Sequence, residues 1–369
     1  MDWKGRRVFL TGHTGFKGSW FSLWLQNSGA VVRGYSLEPP TSPNLFAAAE
    51  VAKGMESCIG DIRDQAHLQR ELKSFQPEIV VHMAAQPLVR LSYSQPLETY
   101  AVNVMGTANL LEAVRASEGV RSVVIVTTDK CYENREWLWP YRENDRLGGY
   151  DPYSSSKAAA EMVTSSYRSS FFPPEKYNIH GVAVATVRAG NVIGGGDWAL
   201  DRLIPDIIRS FHAGTPVPIR HPHSVRPWQH VLEPLRGYLM LAEALYDKGP
   251  GYGEGWNFGP RDLQALPVRK IVEIMGTLWG KGALWVLEDQ PQVHEATLLR
   301  LDWSKAAKEL HWLPVFSIEE ALKFTVSWYS AWRQEKDMRD FTLRQIEEYE
   351  HLAGGKPTGP KQHNFRVSI

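Results

Sequence analysis

The feature that most constrains the fold is a short apolar run followed at once by three evenly spaced glycines. Residues 8–10 are apolar, and Gly12, Gly15 and Gly18 come before a helical pattern that begins at Trp20. A strand followed by a glycine turn and a helix is typical of a dinucleotide site. The glycines let the backbone approach a pyrophosphate, and the N-terminus of the helix binds the phosphate oxygens. The stretch predicts a dinucleotide site, and the alternative is a tight surface turn. The predicted contacts are Gly12, His13, Thr14, Gly15, Phe16, Lys17 and Gly18.

Apolar strands alternate with helical segments along the first half of the chain. This alternation predicts an α/β fold, a Rossmann-type doubly wound parallel sheet with helices on both faces. The chain has 369 residues, more than one core usually covers, so a smaller C-terminal α/β substrate-binding domain is also expected. The expected dinucleotide-binding domain is 1–188, with 226–258 returning to it. The second domain would be 189–225 and 259–350, and 354–369 would be a loose tail.

Residues after the second and third predicted strands bear on which dinucleotide binds. The acidic residue that holds an adenosine ribose is expected about 20 residues past the glycines, where Glu38 lies, and this favours NAD. Arg33 leaves a 2′-phosphate, and therefore NADP, open. Asp61, followed by Ile62, fits a strand end where a carboxylate bonds an adenine amino group. The alternative for Asp61 is a helix cap before residues 68–75.

The next predicted strand, at 78–86, runs into small residues. Ala84 and Ala85 leave room for a ligand at the carboxyl end of the strand, where doubly wound sheets bind their ligands. Asn103 interrupts the apolar face of the following helix. From the residues alone, such an asparagine is interpreted as a structural bridge.

Two clusters within residues 124–157 carry the chemistry. An apolar run ends in Thr127-Thr128-Asp129-Lys130, and a helix begins near Tyr153. Tyr153 and Lys157 lie one turn apart on one helix face. An ammonium there, with a nicotinamide cation above it, would lower the pKa of the Tyr153 phenol from about 10. Thr128 could bind the same alcohol oxygen that Tyr153 deprotonates, so the clusters predict hydride removal from a secondary alcohol.

The segment after residue 188 differs in composition. A glycine-rich loop at 189–198 precedes a predicted helix at 202–212, and 220–228 is basic and contains proline. Arginine binds phosphate oxygens bidentately, so these residues predict a cradle for a diphosphate. The alternative is an ordinary solvated loop.

Composition limits the classes of function. Lys plus Arg and Asp plus Glu number 41 each, so no net field would attract nucleic acid or a membrane surface. The cysteines, Cys58 and Cys131, are too few for a disulfide framework and lack metal-ligand spacing, so no metal is expected. No segment approaches the roughly 18 apolar residues of a membrane span, and the N-terminus lacks a signal-peptide core. A cytoplasmic location is the expectation.

The chain resembles the extended short-chain dehydrogenase/reductase family over roughly residues 5–335. The matching motifs are Thr11-Gly12-x-x-Gly15-x-x-Gly18, Asp61-Ile62, His82-x-Ala84-Ala85, Asn103-x-x-Gly106-Thr107-x-Asn109 and Tyr153-x-x-x-Lys157. The resemblance implies NAD, used catalytically and regenerated in each turnover. Besides the glycine turn, it implies cofactor contacts at Asp61, Ile62, Ala84, Ala85, Gln86, Asn103, Thr127, Tyr153 and Lys157.

Within that family, the chain is similar to nucleotide-sugar 4,6-dehydratases that act on CDP-glucose. The similarity rests on residues 12–20, 127–132, 188–198, 226–231 and 294–296. It implies conversion of CDP-D-glucose to CDP-4-dehydro-6-deoxy-D-glucose and water, on a bacterial route to the 3,6-dideoxyhexoses of O-antigen lipopolysaccharide. It also implies a homodimer or homotetramer, commonly through a helix pair that would here include 101–115 and 154–170.

The resemblance implies a role for each catalytic residue. Tyr153, Thr128 and Lys157 would assist oxidation of C4 to a ketone, with the hydride passing to NAD. Lys130 would then remove the C5 proton, and Asp129 would protonate the leaving C6 hydroxyl. Related dTDP-glucose dehydratases have Asp-Glu here, with the glutamate as base. A lysine base must be neutral, and a protonated Asp129 avoids raising its pKa. The alternative is that Asp129 and Lys130 form a surface ion pair worth under about 1 kcal/mol.

The resemblance also indicates candidate substrate contacts, and two other functions stay open. The expected contacts are Gln86, Arg90, Thr128, Asn191, Arg202, Arg220, Arg226 and Glu295. A nucleotide-sugar 4-epimerase of the same fold needs only the tyrosine, the lysine and a hydroxyl, and has no use for Asp129 and Lys130. A non-catalytic NAD-binding regulator would have no reason to keep Thr128, Tyr153 and Lys157 together.

Overall fold

The computed structural model describes residues 2–261, 266–280, 284–287 and 299–354. The strands are β1 (Arg7–Thr11), β2 (Val31–Ser36), β3 (Glu56–Ile59), β4 (Ile79–His82), β5 (Ser122–Val126), β6 (Ala183–Ala189), β7 (Asn191–Ile193), β8 (Val217–Ile219), β9 (Val225–Arg226), β10 (Trp228–His230), β11 (Gly255–Phe258), β12 (Leu266–Pro267) and β13 (Trp285–Leu287). Seven of them form one parallel sheet in the order β11-β6-β5-β4-β1-β2-β3, so the predicted doubly wound parallel sheet is confirmed.

Helices cover both faces of this sheet. They are α1 (Phe16–Asn27), α2 (Leu45–Ala48), α3 (Gln65–Phe75), α4 (Val89–Ser94), α5 (Pro96–Tyr100), α6 (Gly106–Arg115), α7 (Pro152–Ser170), α8 (Tyr177–His180), α9 (Leu203–Ala213), α10 (Leu232–Lys248), α11 (Val268–Trp279), α12 (Ser304–Glu309), α13 (Ile318–Arg333) and α14 (Met338–Leu352). None of the helices in the described ranges is long and apolar enough to cross a membrane.

The alternation of side chains along each strand divides the core between the two faces. Val8 and Leu10 of β1 pack in one cluster with apolar residues of α1, α10, α13 and α14. Phe9, between them, packs on the opposite face with residues of α3 and α6. Strands buried on both faces are nearly all apolar, as in β4 and β5, and this explains why they are recognisable in the sequence.

The first strand, turn and helix match the sequence prediction closely. Gly12 has a φ of +80°, and a Cβ on Gly18 would lie 2.0 Å from the Gly12 carbonyl oxygen, so the turn tolerates no side chain there. Gly29, with a φ of +81°, follows the end of α1, as predicted.

The C-terminal helices are fastened to the large sheet by buried carboxylates. Glu233 of α10 accepts hydrogen bonds from the backbone amides of Val315 and Phe316 and from the Tyr349 hydroxyl. Glu350 of α14 accepts a 2.7 Å hydrogen bond from the Trp24 indole of α1. Because these carboxylates are buried with partners, they fix α13 and α14 against the dinucleotide half of the chain. The predicted domain division itself stays a prediction.

Candidate active site

The glycine turn lies against the carboxyl end of β4. The Thr11 hydroxyl hydrogen-bonds the His82 imidazole at 2.7 Å and accepts from the backbone amides of Met83 and Ala84. A Cβ on Gly12 would lie 2.7 Å from the Ala84 amide nitrogen, so the two chain segments are nearly in contact. The predicted residue Ala84 therefore borders the glycine turn, and Ala85 is the next residue in the chain. Gly15 precedes α1 without any side-chain cap, which leaves the first amide groups of α1 directed outward.

Two side chains of the turn point into the protein instead. His13 is fully buried, its Nε2 lies 2.7 Å from the Ser57 hydroxyl of β3, and burial lowers its pKa to about 4. The Thr14 hydroxyl contacts the Ser36 hydroxyl and donates to the Leu37 carbonyl at the end of β2. These contacts fix the turn to the edge of the sheet, so only the backbone of His13 and Thr14 faces a ligand.

Lys17, in the first turn of α1, interacts electrostatically with the candidate catalytic residues Lys157 and Asp129. Burial, together with the charges of Arg202 and Lys157, lowers the pKa of Lys17 to about 8, and Asp129 partly opposes this. The glycine turn and the catalytic residues thus form one electrostatic neighbourhood.

The residues proposed to select the dinucleotide are arranged differently from the sequence expectation. Arg33 is held by Glu56, Glu71 and Ser74, so its guanidinium is already paired.

Asp61 does not cap α3. The cap of α3 is Asp64, whose side chain accepts from the His67 amide, so the alternative interpretation of Asp61 as that cap is wrong. The Asp61 carboxylate is paired with Arg63 instead, and this lowers its pKa. Ile62 is buried and Glu38 is exposed.

Tyr153 and Lys157 begin α7 at the carboxyl edge of the sheet. The helix is capped by Asp151, whose carboxylate accepts from the Ser154 amide, and Tyr153 is buried there beside Thr128. The Lys157 ammonium donates to the Val126 carbonyl at 3.2 Å, and burial lowers its pKa to about 8. Burial also raises the pKa of Tyr153 to about 12, although Thr128 and Arg202 oppose this. The expected lowering of the Tyr153 pKa is therefore reversed in the protein alone, because burial outweighs the neighbouring groups.

Thr128 and Asp129 converge on Tyr153. The Thr128 hydroxyl donates to an Asp129 carboxylate oxygen at 3.0 Å, and it lies close enough to the Tyr153 phenol to oppose the rise of its pKa. A Cβ on Gly190 would lie 2.9 Å from the other Asp129 oxygen, so this carboxylate is enclosed by backbone. Burial raises the pKa of Asp129, although the charges of Lys130 and Arg226 oppose this. Because Asp129 is only 5% exposed, the surface ion pair alternative does not describe it.

A buried carboxylate behind the catalytic edge was missed by the sequence analysis. Glu161 of α7 accepts hydrogen bonds from Thr127 at 2.5 Å, from Thr186 at 2.6 Å and from two guanidinium nitrogens of Arg188. It lies four residues after Lys157, on the same face of α7, and that spacing is the signal that could have indicated it. The side chain of Thr127 is engaged here and supports the strand end, and its predicted contact with the cofactor stays a prediction.

Two further predicted contacts use their side chains inside the protein. Gln86 donates to Thr99 and to the Leu88 carbonyl and accepts from the Leu88 amide. The amide of Asn103 bridges the Gln86 backbone and the Ser156 hydroxyl, as the structural interpretation expected. These bonds join the loop after β4 to α7 and thereby orient the start of the catalytic helix. Direct contact of either residue with a ligand stays a prediction.

The predicted basic residues gather on one side of Tyr153. Arg202 precedes α9, is paired with Asp197 at 2.8 Å and interacts electrostatically with Tyr153. Asp201 pairs with both Arg90 and Arg220, at 3.5 and 2.7 Å.

The other predicted substrate contacts lie elsewhere in the site. Arg226 in β9 interacts electrostatically with Asp129, and Asn191 in β7 directly follows Gly190. Glu295 lies outside the described residues.

A doubly wound parallel sheet with a glycine turn and a Tyr–Lys helix at its carboxyl edge is the fold and site of an extended short-chain dehydrogenase/reductase. The family model described as GDP-mannose 4,6 dehydratase matches residues 9–325. The chain therefore belongs to the family that this model describes. A CDP-glucose 4,6-dehydratase of Salmonella typhimurium is 57% identical over 347 residues, which cover 94% of this chain and 97% of that relative.

Solved structures have the same fold. A dTDP-glucose 4,6-dehydratase of Streptomyces venezuelae, solved with NAD bound, has a TM-score of 0.74 at 26% identity and covers 90% of this chain and 99% of its own. A UDP-glucose 4-epimerase of Thermotoga maritima has a TM-score of 0.76 at 23% identity, with 89% and 99% covered. Dehydratases and epimerases therefore share this backbone, so side chains must decide between the two reactions.

Proposed function

We propose that the protein is an NAD-dependent CDP-glucose 4,6-dehydratase, a hydro-lyase that forms CDP-4-dehydro-6-deoxy-D-glucose and water. The observation that carries the proposal is the convergence of Thr128 and a buried Asp129 on Tyr153, since elimination needs an acid that oxidation alone does not. The 57% identity to a CDP-glucose 4,6-dehydratase over nearly the whole chain supports the same reaction and nucleotide.

The cofactor site fits NAD by its donors and its shape. The uncapped start of α1 and the side-chain-free surface of Gly12, Gly15 and Gly18 suit a pyrophosphate. The Arg33 guanidinium is already paired with the carboxylates of Glu56 and Glu71, so it is not available to bind the 2′-phosphate of NADP. When bound, NAD accepts a hydride from C4 of the sugar and later returns it to C6.

Oxidation at C4 requires that a proton leave the sugar hydroxyl. Tyr153 takes this proton, and Thr128 hydrogen-bonds the same oxygen and holds the sugar against the phenol. Lys157, buried one turn along α7, places a positive charge beside the site and favours the phenolate. With its pKa near 8, Lys157 is mostly protonated at neutral pH, as this role requires.

Elimination across C5 and C6 follows because the C4 ketone acidifies the C5–H bond. Lys130 removes the C5 proton, and Asp129 donates a proton to the departing C6 hydroxyl, which leaves as water. Lys130 gives its proton back to C5 once C6 has been reduced, and this completes the 4-dehydro-6-deoxy product. An acid must hold its proton near neutral pH, and burial raises the pKa of Asp129 in that direction.

Arginines beside the sugar site hold the diphosphate. We assign this role to Arg202 and Arg220, with Arg90 joined to them through Asp201. Arg226 and Asn191 lie near Asp129 and would contact the sugar or nucleotide, and we retain Gln86 and Glu295 as proposed contacts.

We place the enzyme in the bacterial cytoplasm, on a route to 3,6-dideoxyhexoses, as a homodimer or homotetramer. Exposed apolar side chains on and beside the helices at 96–115 and 152–170 support self-association, among them Leu97, Met105 and Met162 at 84%, 56% and 64% exposure.

The test is a product assay with CDP-, dTDP-, GDP- and UDP-glucose, read by mass spectrometry. Loss of one water from CDP-glucose alone is expected. A product of unchanged mass would indicate the 4-epimerase, and no product with any of the four would indicate the regulator.

Two substitutions assign the steps. Tyr153→Phe should lower kcat by about 10²–10⁴-fold and leave NAD affinity unchanged, whereas Tyr150→Phe, an exposed tyrosine nearby, should retain activity. Lys130→Met should stop water loss but still allow reduction of bound NAD by CDP-glucose, seen by its near-ultraviolet absorbance. Full turnover by Lys130→Met would refute its role as the base.

A further inference from the structure

A group of metal-ligand side chains lies at the far edge of the sheet, away from the catalytic residues. Cys58 is on β3, and His67 and Glu71 are one turn apart on α3. Cys58 Sγ lies 3.9 Å from His67 Nε2, which is 3.7 Å from Glu71 Oε1. One donor atom from each residue falls within 4.8 Å of the other two, and all three residues are half-buried. Because Cys58 lies on a different element from His67 and Glu71, no spacing in the sequence reveals the whole group.

The hydrogen bonds of Tyr35 determine which nitrogen of His67 carries a proton. The Tyr35 hydroxyl has a single hydrogen, which it donates to the Asp61 carbonyl at 2.9 Å. Its 3.3 Å contact with His67 Nδ1 must therefore use an Nδ1–H donor. In the neutral imidazole, Nε2 then carries a lone pair that faces the Cys58 sulfur and a Glu71 oxygen. The Cys58 thiol is 3.9 Å from the Ile59 carbonyl, and on losing its proton its sulfur would join His67 Nε2 and the Glu71 oxygen as a third ligand of a cation.

The separations suit a tetrahedral metal. Zinc with sulfur at about 2.3 Å and nitrogen or oxygen at about 2.0–2.1 Å sets these atoms about 3.4–3.6 Å apart. The observed distances of 3.9 and 3.7 Å are only slightly longer, so small side-chain movements would close the group on an ion. Thiolate and imidazole ligands favour zinc over magnesium or calcium.

The neighbouring charges leave one Glu71 oxygen available to the ion. Arg33 pairs with Glu71 Oε2 at 3.4 Å and with Glu56, whereas Oε1 faces His67. The positive charge of Arg33 is thus balanced by its own carboxylates.

We propose that Cys58, His67 and Glu71 bind a Zn²⁺ ion, with water as the fourth ligand. The ion fastens the edge strand β3 to α3, on the face opposite the 2.7 Å contact between His13 and Ser57. Tyr35 supports it as an outer partner, since its hydroxyl orients the His67 ring. The site is structural and lies outside the proposed dehydratase chemistry.

Cobalt is the spectroscopic probe. The full-length protein, freed of metal by a chelator, is titrated with Co²⁺ without oxygen and then with Zn²⁺ against a chromophoric chelator. One equivalent of Co²⁺ should give the visible absorption of a tetrahedral site and a near-ultraviolet thiolate charge-transfer band, and Zn²⁺ should remove both.

Variants decide whether these three side chains are the ligands. Cys58→Ser should abolish the charge-transfer band, and Glu71→Gln should weaken zinc binding by more than about a hundredfold, because changes to outer partners alone cost about 10–100-fold. Tyr35→Phe should keep the band and weaken binding by about that smaller factor. Cys131→Ser, at the buried second cysteine, should match the unsubstituted protein.

Three results would overturn the proposal. They are no tetrahedral band at one equivalent, a charge-transfer band that persists in Cys58→Ser, and a zinc affinity unchanged in Glu71→Gln. Any of these would leave His67 and Glu71 as a simple ion pair of protonated histidine with carboxylate. Circular dichroism of the metal-free variants establishes that each retains its fold.

Discussion

Replacing Glu161 with glutamine tests the buried network behind the catalytic edge. Glu161 and Arg188 have side-chain exposures of 3% and 5%, and the carboxylate also accepts from Thr127 and Thr186. Glutamine keeps the shape but leaves the Arg188 charge uncompensated in a buried site. Breaking a buried pair in this way costs about 3–5 kcal/mol.

That cost translates into a measurable change of melting temperature. With an unfolding entropy of about 2.1 cal/mol/K per residue, a chain of 369 residues loses about 1.3 °C per kcal/mol, so Glu161→Gln should lower Tm by about 4–6 °C. Glu273→Gln is the matched control, because Glu273 and Lys270 form an exposed pair worth under about 1 kcal/mol.

Differential scanning calorimetry with a pH series supplies a second check. Burial alone would raise the pKa of Glu161, but Arg188 and the two threonines outweigh this, so the pKa is lowered from 4.5. The stabilisation is therefore full above pH 4.5 and is lost as the pH falls through the lowered folded value. Glu161→Gln should lack this acid dependence. A Tm loss no larger than that of Glu273→Gln would refute the reasoning, and so would an unchanged acid limb.

Two further substitutions test the turn and the C-terminal attachment. Gly18→Ala places a Cβ 2.0 Å from the Gly12 carbonyl and should weaken NAD binding more than tenfold by titration calorimetry, whereas Gly251→Ala, which meets no atom within 4 Å, should not. Tyr349→Phe removes a hydrogen bond to buried Glu233 and should cost about 1–3 kcal/mol in urea unfolding, and a loss below 0.5 kcal/mol would contradict the assigned contact.

Local patterns made the fold and the proximity of the candidate catalytic residues predictable. Runs such as 79–82 and 122–126 are buried on both faces, so their composition marks them as strands, and the alternation with helices fixes parallel pairing. Tyr153 and Lys157 are close along one helix, and Thr128 follows directly from a strand end. Their proximity could therefore be predicted once the order of strands and helices was known.

Contacts between distant elements were not predictable from these patterns. His13 sits in the cofactor motif, yet its ring fills the space beside Gly34, where a Cβ would lie 2.3 Å from it. The charge of Arg33 gave no sign that Glu56 and Glu71 engage it, since those residues come from other elements. Likewise, the balance of burial against charge that sets the pKa of Tyr153 depends on packing, which a sequence pattern does not contain.

The opposite directions of Thr127 and Thr128 separate anchoring from catalysis within two adjacent residues. The Thr127 hydroxyl secures the end of β5 to Glu161, and the Thr128 hydroxyl donates to Asp129 beside Tyr153. Because Thr127 anchors the end of β5, the residues after Thr128 are not needed for that purpose. In the proposed mechanism, positions 129 and 130 carry the groups that distinguish elimination from epimerisation, which gives a physical reason why epimerases and dehydratases share one fold.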